Sequence, residues 1–361
     1  MFSKSFFLFL LPAICISQNF DSICRVIKKT KNDTEQVNKF YRIGFESRFN
    51  NPNLSFQCAK EALNIANKSK SELHKAKAFN LLGILHYRKR DLKTALQYHH
   101  EALRIREQQK DEYSQALSET NLGNIYTDLN SFSLAENHYL NALQIQNKLG
   151  NDKQTGNCFV NLGVLMVMQK KHIEAEKYFY NAYEISKKLI DYEMEAMCLN
   201  NLSAINYESG NYEAAIGNAL ESIKIKEIMG NEMEKADSYI NLSRAYSKLN
   251  DEVQYNYYIN KADSLCLVFD YTDAKLSLLS SKLEHFETIE DYKNALLLLK
   301  KIIHFKDSLS KLNNIESSSL NDDEIINKKN HHQPFHFPYL MLFLLIVSCL
   351  VPVYILIKNM R

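Results

Sequence analysis

The sequence repeats itself every 40 residues. Asn-Leu-Gly begins at Asn121 and Asn161, and Asn-Leu-Ser begins at Asn201 and Asn241, with no insertion or deletion between them. Other positions keep the same register: positions 83, 123, 163, 203 and 243 are Gly or Ser, and positions 95, 135, 175 and 215 are Ala. A period of this length means that one structural unit recurs and that neighbouring units bury each other's apolar faces.

Each unit has the pattern of two antiparallel helices. Within residues 112–129 and 132–149, apolar side chains recur at helical spacing along one face. Asn130-Ser131 predicts the turn between the helices, and Gly150-Asn151 predicts a left-handed cap after the second. Only 5 prolines and 9 glycines occur in the chain, so few residues would interrupt a helix. The sequence predicts an all-α solenoid of about seven helix pairs.

Charge and motif content argue against several function classes. The 44 Lys+Arg residues balance 42 Asp+Glu residues, whereas a nucleic-acid binder needs a basic stripe to displace counterions from phosphate. A phosphate-binding loop, a Gly-x-Ser-x-Gly elbow and a His-Glu-x-x-His helix do not occur in the sequence. The cysteines show no close spacing typical of a zinc site or a disulfide framework. We therefore expect no catalytic residues, no cofactor, no metal site and no nucleic-acid partner.

The spacing of Leu, Gly, Tyr and Ala in the third unit resembles the tetratricopeptide repeat signature. The residues that carry the resemblance are Leu122, Gly123, Tyr126, Ala135, Tyr139 and Ala142. HEAT and armadillo repeats have a similar length but lack this spacing. The resemblance covers roughly residues 35–310 and implies a right-handed superhelix whose first helices line a concave groove.

The resemblance also implies that the residue two places before the small position faces this groove. These residues are Asn121, Asn161, Asn201 and Asn241. A carboxamide is both donor and acceptor, so this asparagine ladder could pair with the backbone of an extended peptide. Kinesin light chain and bacterial quorum-peptide receptors of this repeat type use such a ladder. The alternative is that each Asn bonds a neighbouring helix and sets the pitch. Further groove-facing candidates are Asn124, Asn200, Tyr207, Arg244 and Asp128.

The two ends of the chain predict export and anchoring. Residues 1–17 have the pattern of a secretory signal peptide, with lipidation at Cys15 as the alternative. Residues 338–357 contain no charged side chain and are long enough to span a bilayer as a helix. The cationic tail, residues 358–361, belongs on the cytoplasmic side. Residues 18–34 then form a lead-in, 35–310 the repeat array and 311–337 a polar juxtamembrane linker.

This order of segments resembles the periplasmic sensory half of two-component receptors and LuxR-type regulators of Bacteroidetes. Only residues 358–361 follow the apolar segment in this sequence, so the resemblance implies a sensory half without an output domain. We expect a membrane-anchored, periplasm-facing module that binds a protein or extended peptide in its groove. The alternatives are a split sensor that works with a separate membrane signalling partner, and an assembly scaffold of the cell envelope.

Overall fold

The computed structural model describes residues 20–269 and 272–318, in which fifteen α-helices and no strands occur. The helices are α1 (Phe20–Ile27), α2 (Asp33–Ser47), α3 (Pro52–Lys68), α4 (Glu72–Arg88), α5 (Leu92–Gln108), α6 (Glu112–Asp128), α7 (Phe132–Lys148), α8 (Asp152–Met168), α9 (His172–Leu189), α10 (Tyr192–Glu208), α11 (Tyr212–Ile228), α12 (Lys235–Lys248), α13 (Glu252–Val268), α14 (Thr272–Thr288) and α15 (Tyr292–Ser318).

After α1, the helices form consecutive pairs in two compact units. The N-terminal unit ends at Glu232 and contains the pairs α2–α3, α4–α5, α6–α7, α8–α9 and α10–α11. The C-terminal unit begins at Met233 and contains α12–α13 and α14–α15. Within the N-terminal unit, each second helix also packs against the first helix of the next pair. The predicted all-helical solenoid of helix pairs is confirmed in the described part of the chain.

Within a pair, a ring from the second helix packs directly on a glycine of the first. A Cβ atom added to Gly123 would lie 2.5 Å from Cε1 of Tyr139, and one added to Gly163 would lie 2.8 Å from Cζ of Phe179. Both rings are buried. The glycines are therefore required because the paired helices approach so closely that no side chain fits between backbone and ring.

His99 fills the same ring position in α5. A Cβ atom added to Gly83 would lie 2.6 Å from Nε2 of His99. The imidazole is buried, and its Nδ1 has no hydrogen-bond partner among the described residues. Burial, and then the charges of Arg106 and His100, lower the pKa of His99 to about 3. His99 therefore packs as a neutral ring at physiological pH.

The turns between helices use one left-handed residue at a fixed register. Asn130 has φ of 56° and Gly150 has φ of 64°, which confirms both predicted turns. The Ser131 N–H then donates to the Tyr126 carbonyl at 2.8 Å, which satisfies a carbonyl at the helix end. Positive φ values also occur at Lys70, Arg90, Lys110, Lys170, Ile190, Gly210, Gly230, Asn250 and Glu290. The sequence did not indicate the turns at Lys, Arg, Ile and Glu, because these residues carry no left-handed preference.

The first pair departs from the repeat register by one residue. The register places Ile43 at the small position, but the buried small residue of α2 is Gly44. A Cβ atom added to Gly44 would lie 2.8 Å from Cδ2 of Leu81 on α4. The same Cβ would lie 3.2 Å from Cβ of Cys58 on α3, so Gly44 closely approaches both the next pair and its own partner helix.

The predicted end segments lie outside the described residues. These are the signal peptide at 1–17, the apolar segment at 338–357 and the tail at 358–361, and all three remain predictions. In the described ranges, no helix combines the length and apolarity needed to cross a bilayer. Helix α1 lies within the predicted lead-in, and α15 continues to Ser318, past the predicted end of the array at 310.

The glycine–ring contact predicts opposite effects for two Gly→Ala substitutions. Gly163→Ala should lower the free energy of unfolding by about 1 kcal/mol or more, because the new methyl group must displace the Phe179 ring. Gly217→Ala should raise it by about 0.5–1 kcal/mol, since Gly217 lies inside α11 with no atom within 4 Å of an added Cβ. Chemical denaturation of both variants measures the difference, and a loss of stability in both would contradict the packing account.

Candidate functional site

One side of the first helices in the N-terminal unit remains partly or fully exposed. The residues on it follow the spacing i, i+4, i+7 and i+11, which lines one face of a helix. We call this surface the open face. Its members are Leu117, Asn121, Asn124 and Asp128 on α6, Asn157, Asn161, Val164 and Met168 on α8, and Met197, Asn201, Ala204 and Glu208 on α10. Leu122, Leu162 and Leu202, each next to a ladder asparagine, are buried in the core.

The three ladder asparagines of the open face have different hydrogen bonds. The Asn121 side-chain N–H donates to Oδ1 of Asn80 on α4 at 3.0 Å. The Asn201 side-chain N–H donates to the carbonyl of Met197 in its own helix at 2.9 Å. Asn161 forms no hydrogen bond with any residue that the structure describes. Asparagines at equivalent repeat positions therefore differ in bonding. Asn121 is hydrogen-bonded to the neighbouring first helix, Asn201 to its own helix, and Asn161 is unpaired.

The fourth asparagine lies in the C-terminal unit. Asn241 on α12 is buried, with 9% of its surface exposed, and it has interaction partners of its own. Arg244, one turn further along α12, donates from Nε to Glu284 of α14 at 3.1 Å. Lys248 also contacts this carboxylate, at 3.2 Å. Within this unit the predicted site residues therefore take part in contacts between α12 and α14.

Three of the other predicted site residues are held by neighbours in the N-terminal unit. Asn124 accepts a hydrogen bond from the Tyr139 hydroxyl at 2.7 Å, which ties it to the core of its own pair. Asp128 forms an ion pair with Arg90 at 2.6 Å. Tyr207 is 5% exposed and its ring contacts Tyr212, so a ligand could touch it only after neighbouring side chains moved. Asn200 is partly exposed and already has interaction partners.

Exposed apolar side chains share the open face with the unpaired Asn161. Val164 and Met168 follow it on α8 and are 40% and 44% exposed, and Met197 on α10 is 43% exposed. Large apolar side chains left in water are unfavourable, and grouped together they mark surfaces that a partner can cover. The repeat pattern predicted the polar residues of this surface but not these three. The signal was present, because positions 164 and 168 are apolar where the equivalent positions 124 and 128 are Asn and Asp.

His100 and His138 contact polar side chains of α6. His138 Nδ1 lies 2.6 Å from Oε2 of the buried Glu119, and the His138 ring stacks on Tyr126 with centroids 5.2 Å apart. The Tyr126 hydroxyl lies 3.2 Å from Nε2 of His100. Across the helices that the structure describes, no group of three His, Cys, Asp or Glu side chains is arranged to hold a metal ion.

Paired helices, glycine–ring contacts and left-handed turns define a protein built from helical repeats. Family models of the tetratricopeptide repeat match residues 76–108, 114–188 and 161–228, so the helix pairs in these residues match tetratricopeptide repeats. The open face of α6, α8 and α10 lies within the matched residues. No curated protein matches the sequence significantly.

Solved structures with the same fold have little sequence identity to this chain. The apo form of RapI superimposes with a TM-score of 0.66 at 16% identity, covering 76% of this chain and 99% of that one. A Rap protein complexed with competence and sporulation factor gives 0.61 at 19% identity, covering 81% of each chain. NprR in complex with its cognate peptide NprX gives 0.56 at 17% identity, covering 78% of this chain and 81% of that one. These similarities establish the fold.

The hydrogen bonds of the ladder predict unequal costs for two Asn→Ala substitutions. Asn121→Ala should lower the free energy of unfolding by about 1–2 kcal/mol, because it leaves Oδ1 of the buried Asn80 without a donor. Asn161→Ala should change it by no more than about 0.5 kcal/mol, since no bond is lost. Equilibrium denaturation of both variants measures these values. Equal destabilisation would mean that Asn161 also serves the fold.

Proposed function

We propose that this chain is a binding module for a protein or peptide, and that an extended segment of the partner crosses the open face with its centre at α8. The observation that carries the proposal is the unpaired carboxamide of Asn161 beside the exposed Val164 and Met168. A polar group that can pair with peptide backbone thus lies next to apolar side chains that can hold a partner's side chain.

The two parts of this surface contribute differently to binding. The Asn161 carboxamide can donate to a backbone carbonyl and accept from a backbone N–H, and each such bond contributes about 0.5–1.5 kcal/mol net. Because these contacts use only the backbone, they set the direction of the peptide and not its sequence. Covering Val164, Met168 and Met197 contributes about 25 cal/mol per Å² of apolar surface removed from water. An apolar side chain of the partner therefore supplies most of the affinity.

The solved structures support this proposal at the level of the fold. NprR was solved with its cognate peptide NprX, so a fold of this kind can hold a peptide. At 17% identity, the residues that would make contact here must be inferred from this chain itself. The open face provides them on α6, α8 and α10.

We further propose that the module acts outside the cytoplasm, exported by residues 1–17 and anchored by residues 338–357, with residues 358–361 inside. The lengths and charges of these segments support this arrangement. A reporter enzyme that is active only outside the cytoplasm, inserted after residue 330, should be active. Activity only from a cytoplasmic reporter at the same place would contradict the arrangement. The likeness to sensory halves of receptors rests on the sequence alone.

Removing the carboxamides of Asn161 and Asn201 should weaken binding without unfolding the chain. Full-length protein is used to select binders from a displayed library of random twelve-residue peptides, and affinities are measured by fluorescence anisotropy. Asn161→Ala with Asn201→Ala should weaken the selected peptides about tenfold, the loss expected from about two backbone hydrogen bonds. The melting temperature should move by no more than about 2 °C.

The matched control is Asn137→Ala, which removes an exposed asparagine from the second helix α7 and should leave the affinities unchanged. Unchanged affinity in the double variant together with a lower melting temperature would contradict the proposal and assign the ladder to the fold. Failure to enrich any peptide from the library would contradict peptide binding itself.

A further inference from the structure

Two arginines from neighbouring pairs share one phenylalanine ring in the N-terminal unit. The guanidinium carbon of Arg48, at the end of α2, lies 4.3 Å from the centroid of Phe49, and that of Arg88, at the end of α4, lies 4.1 Å from it. Arg48 also lies 3.7 Å over the ring of Phe45. Phe49 is 57% exposed, so this cluster faces solvent. We call Arg48, Arg88, Phe45 and Phe49 the arginine cluster.

Neither arginine of this cluster forms an ion pair with a described carboxylate. The acidic groups of the neighbouring turns are already occupied: Asp128 pairs with Arg90 at 2.6 Å, and Asp91 contacts His86 at 3.0 Å. Burial, and then the charge of Arg88, lower the pKa of the Arg48 guanidinium. Two like charges thus contact one ring and no described carboxylate neutralises them, although one cation would suffice to cover the ring.

The guanidinium groups are also held in place before any ligand arrives. Arg48 lies between two rings, and its Nη1 donates to the Phe45 carbonyl at 2.5 Å. Arginine normally loses much side-chain freedom on binding, and stacking removes part of that cost in advance. The N–H groups of each planar guanidinium that are not already bonded can donate to the two oxygens of a carboxylate. The cluster therefore has the charge, the geometry and the restraint of an oxyanion site.

The arginine cluster continues the open face in sequence register. Positions 88, 128, 168 and 208 are successive 40-residue steps, and the last three belong to the open face; in the first pair, which departs from the register by one residue, Phe49 takes the corresponding position next to Arg48. Successive first helices pack against each other, and packed helices lie about 8–10 Å apart. Arg88 and Met168 are two such steps apart, about 20 Å. An extended chain covers this distance in about six residues, at about 3.3 Å per residue.

We propose that Arg48 and Arg88 bind a carboxylate of the same peptide whose apolar side chain covers Val164 and Met168. This inference rests on the proposed function and adds the chemistry of the partner. The partner is an extended segment with an acidic residue about six positions away from an apolar residue. Its backbone passes Asn121 and Asn161, and its acidic end lies at α2 and α4.

The test uses full-length protein and an array of twelve-residue peptides with blocked termini. Each peptide carries one Glu and one Leu, three to nine residues apart, in a Gly/Ser background. Binding should be strongest at a separation of about five to seven residues. Replacing Glu by Gln in the best peptide should weaken it about tenfold, as expected for loss of charge-assisted hydrogen bonds. Replacing Leu by Ser should also weaken it.

Arg48→Gln with Arg88→Gln should remove the difference between the Glu and Gln peptides while leaving the dependence on Leu. Arg42→Gln is the control, because Arg42 is an exposed arginine of α2 whose loss removes one positive charge, as each of the two substitutions does, and it should retain the tenfold difference. If the double variant does not fold, the exposed Arg88→Gln alone should reduce the difference at least threefold.

Several outcomes would overturn the inference. Equal binding of the Glu and Gln peptides, with Leu still required, would remove the carboxylate site and leave the proposed function intact. A phosphoserine peptide that binds while the Glu peptide does not exceed the Gln peptide would assign the cluster to phosphate instead. Retention of the Glu preference by the double variant would place the acid-binding group elsewhere. No dependence on either Glu or Leu would contradict the proposed function as well.

Discussion

The contact between a ring of the second helix and a glycine of the first sets the geometry of the pairs α4–α5, α6–α7 and α8–α9. Gly83, Gly123 and Gly163 face His99, Tyr139 and Phe179 at distances that leave no room for a side chain. Because this contact brings the backbones together, the adjacent leucines and alanines become fully buried. Each pair thereby uses a defined set of positions for packing, and these positions recur every 40 residues.

Ring and glycine also change together along the chain. Where the small position becomes Ser203 or Ser243, the ring position, sixteen residues later, becomes Ala219 or Ile259. A larger residue on the first helix is thus matched by a smaller or non-aromatic one on the second, which keeps the pair filled. The Ser203 hydroxyl uses its new space to donate to the Ala215 carbonyl at 2.7 Å. From pair to pair, the summed volume of the small residue and the residue packed on it therefore varies less than the identity of the small residue.

Residues outside the packed core can have different contacts in each pair. The ladder asparagines therefore have different hydrogen bonds although all are Asn. Asn121 is tied to the preceding first helix, Asn201 to its own helix, and Asn161 to no described residue. The donor hydrogen bonds of Asn121 and Asn201 are consistent with a structural role. The carboxamide of Asn161 is available for a partner. In the function that we propose, recognition centres on α8, where Val164 and Met168 are exposed, and extends toward Arg48 and Arg88 at the ends of α2 and α4.

Much of the fold could be predicted from the sequence because the repeat supplies many copies of the same local signal. The helix pairs and the turns at Asn130 and Gly150 follow from the register and from residues with a left-handed preference. The turn at Ile190 could not be predicted, because a β-branched residue is strained there and only the surrounding pair imposes its φ of 54°.

The candidate site was less predictable because it depends on contacts between repeats. The sequence next to Asn121 and the sequence next to Asn161 do not explain why their hydrogen bonds differ. The difference comes from Asn80 on α4, which accepts a hydrogen bond from Asn121. The burial of Tyr207 and Asn241, and the sharing of Phe49 by Arg48 and Arg88, likewise arise from neighbouring helices. Such contacts appear only once the helices are placed in three dimensions.

Site-specific photo-crosslinking in cells tests most directly whether α8 is the centre of a binding surface. A photoreactive phenylalanine analogue is placed at Val164 on the open face or at Leu140 on the second helix α7; the two native side chains are 40% and 39% exposed. Our account predicts a discrete higher-mass adduct from position 164 and none from position 140. Adducts from position 140 alone, or equal adducts from both positions, would contradict it.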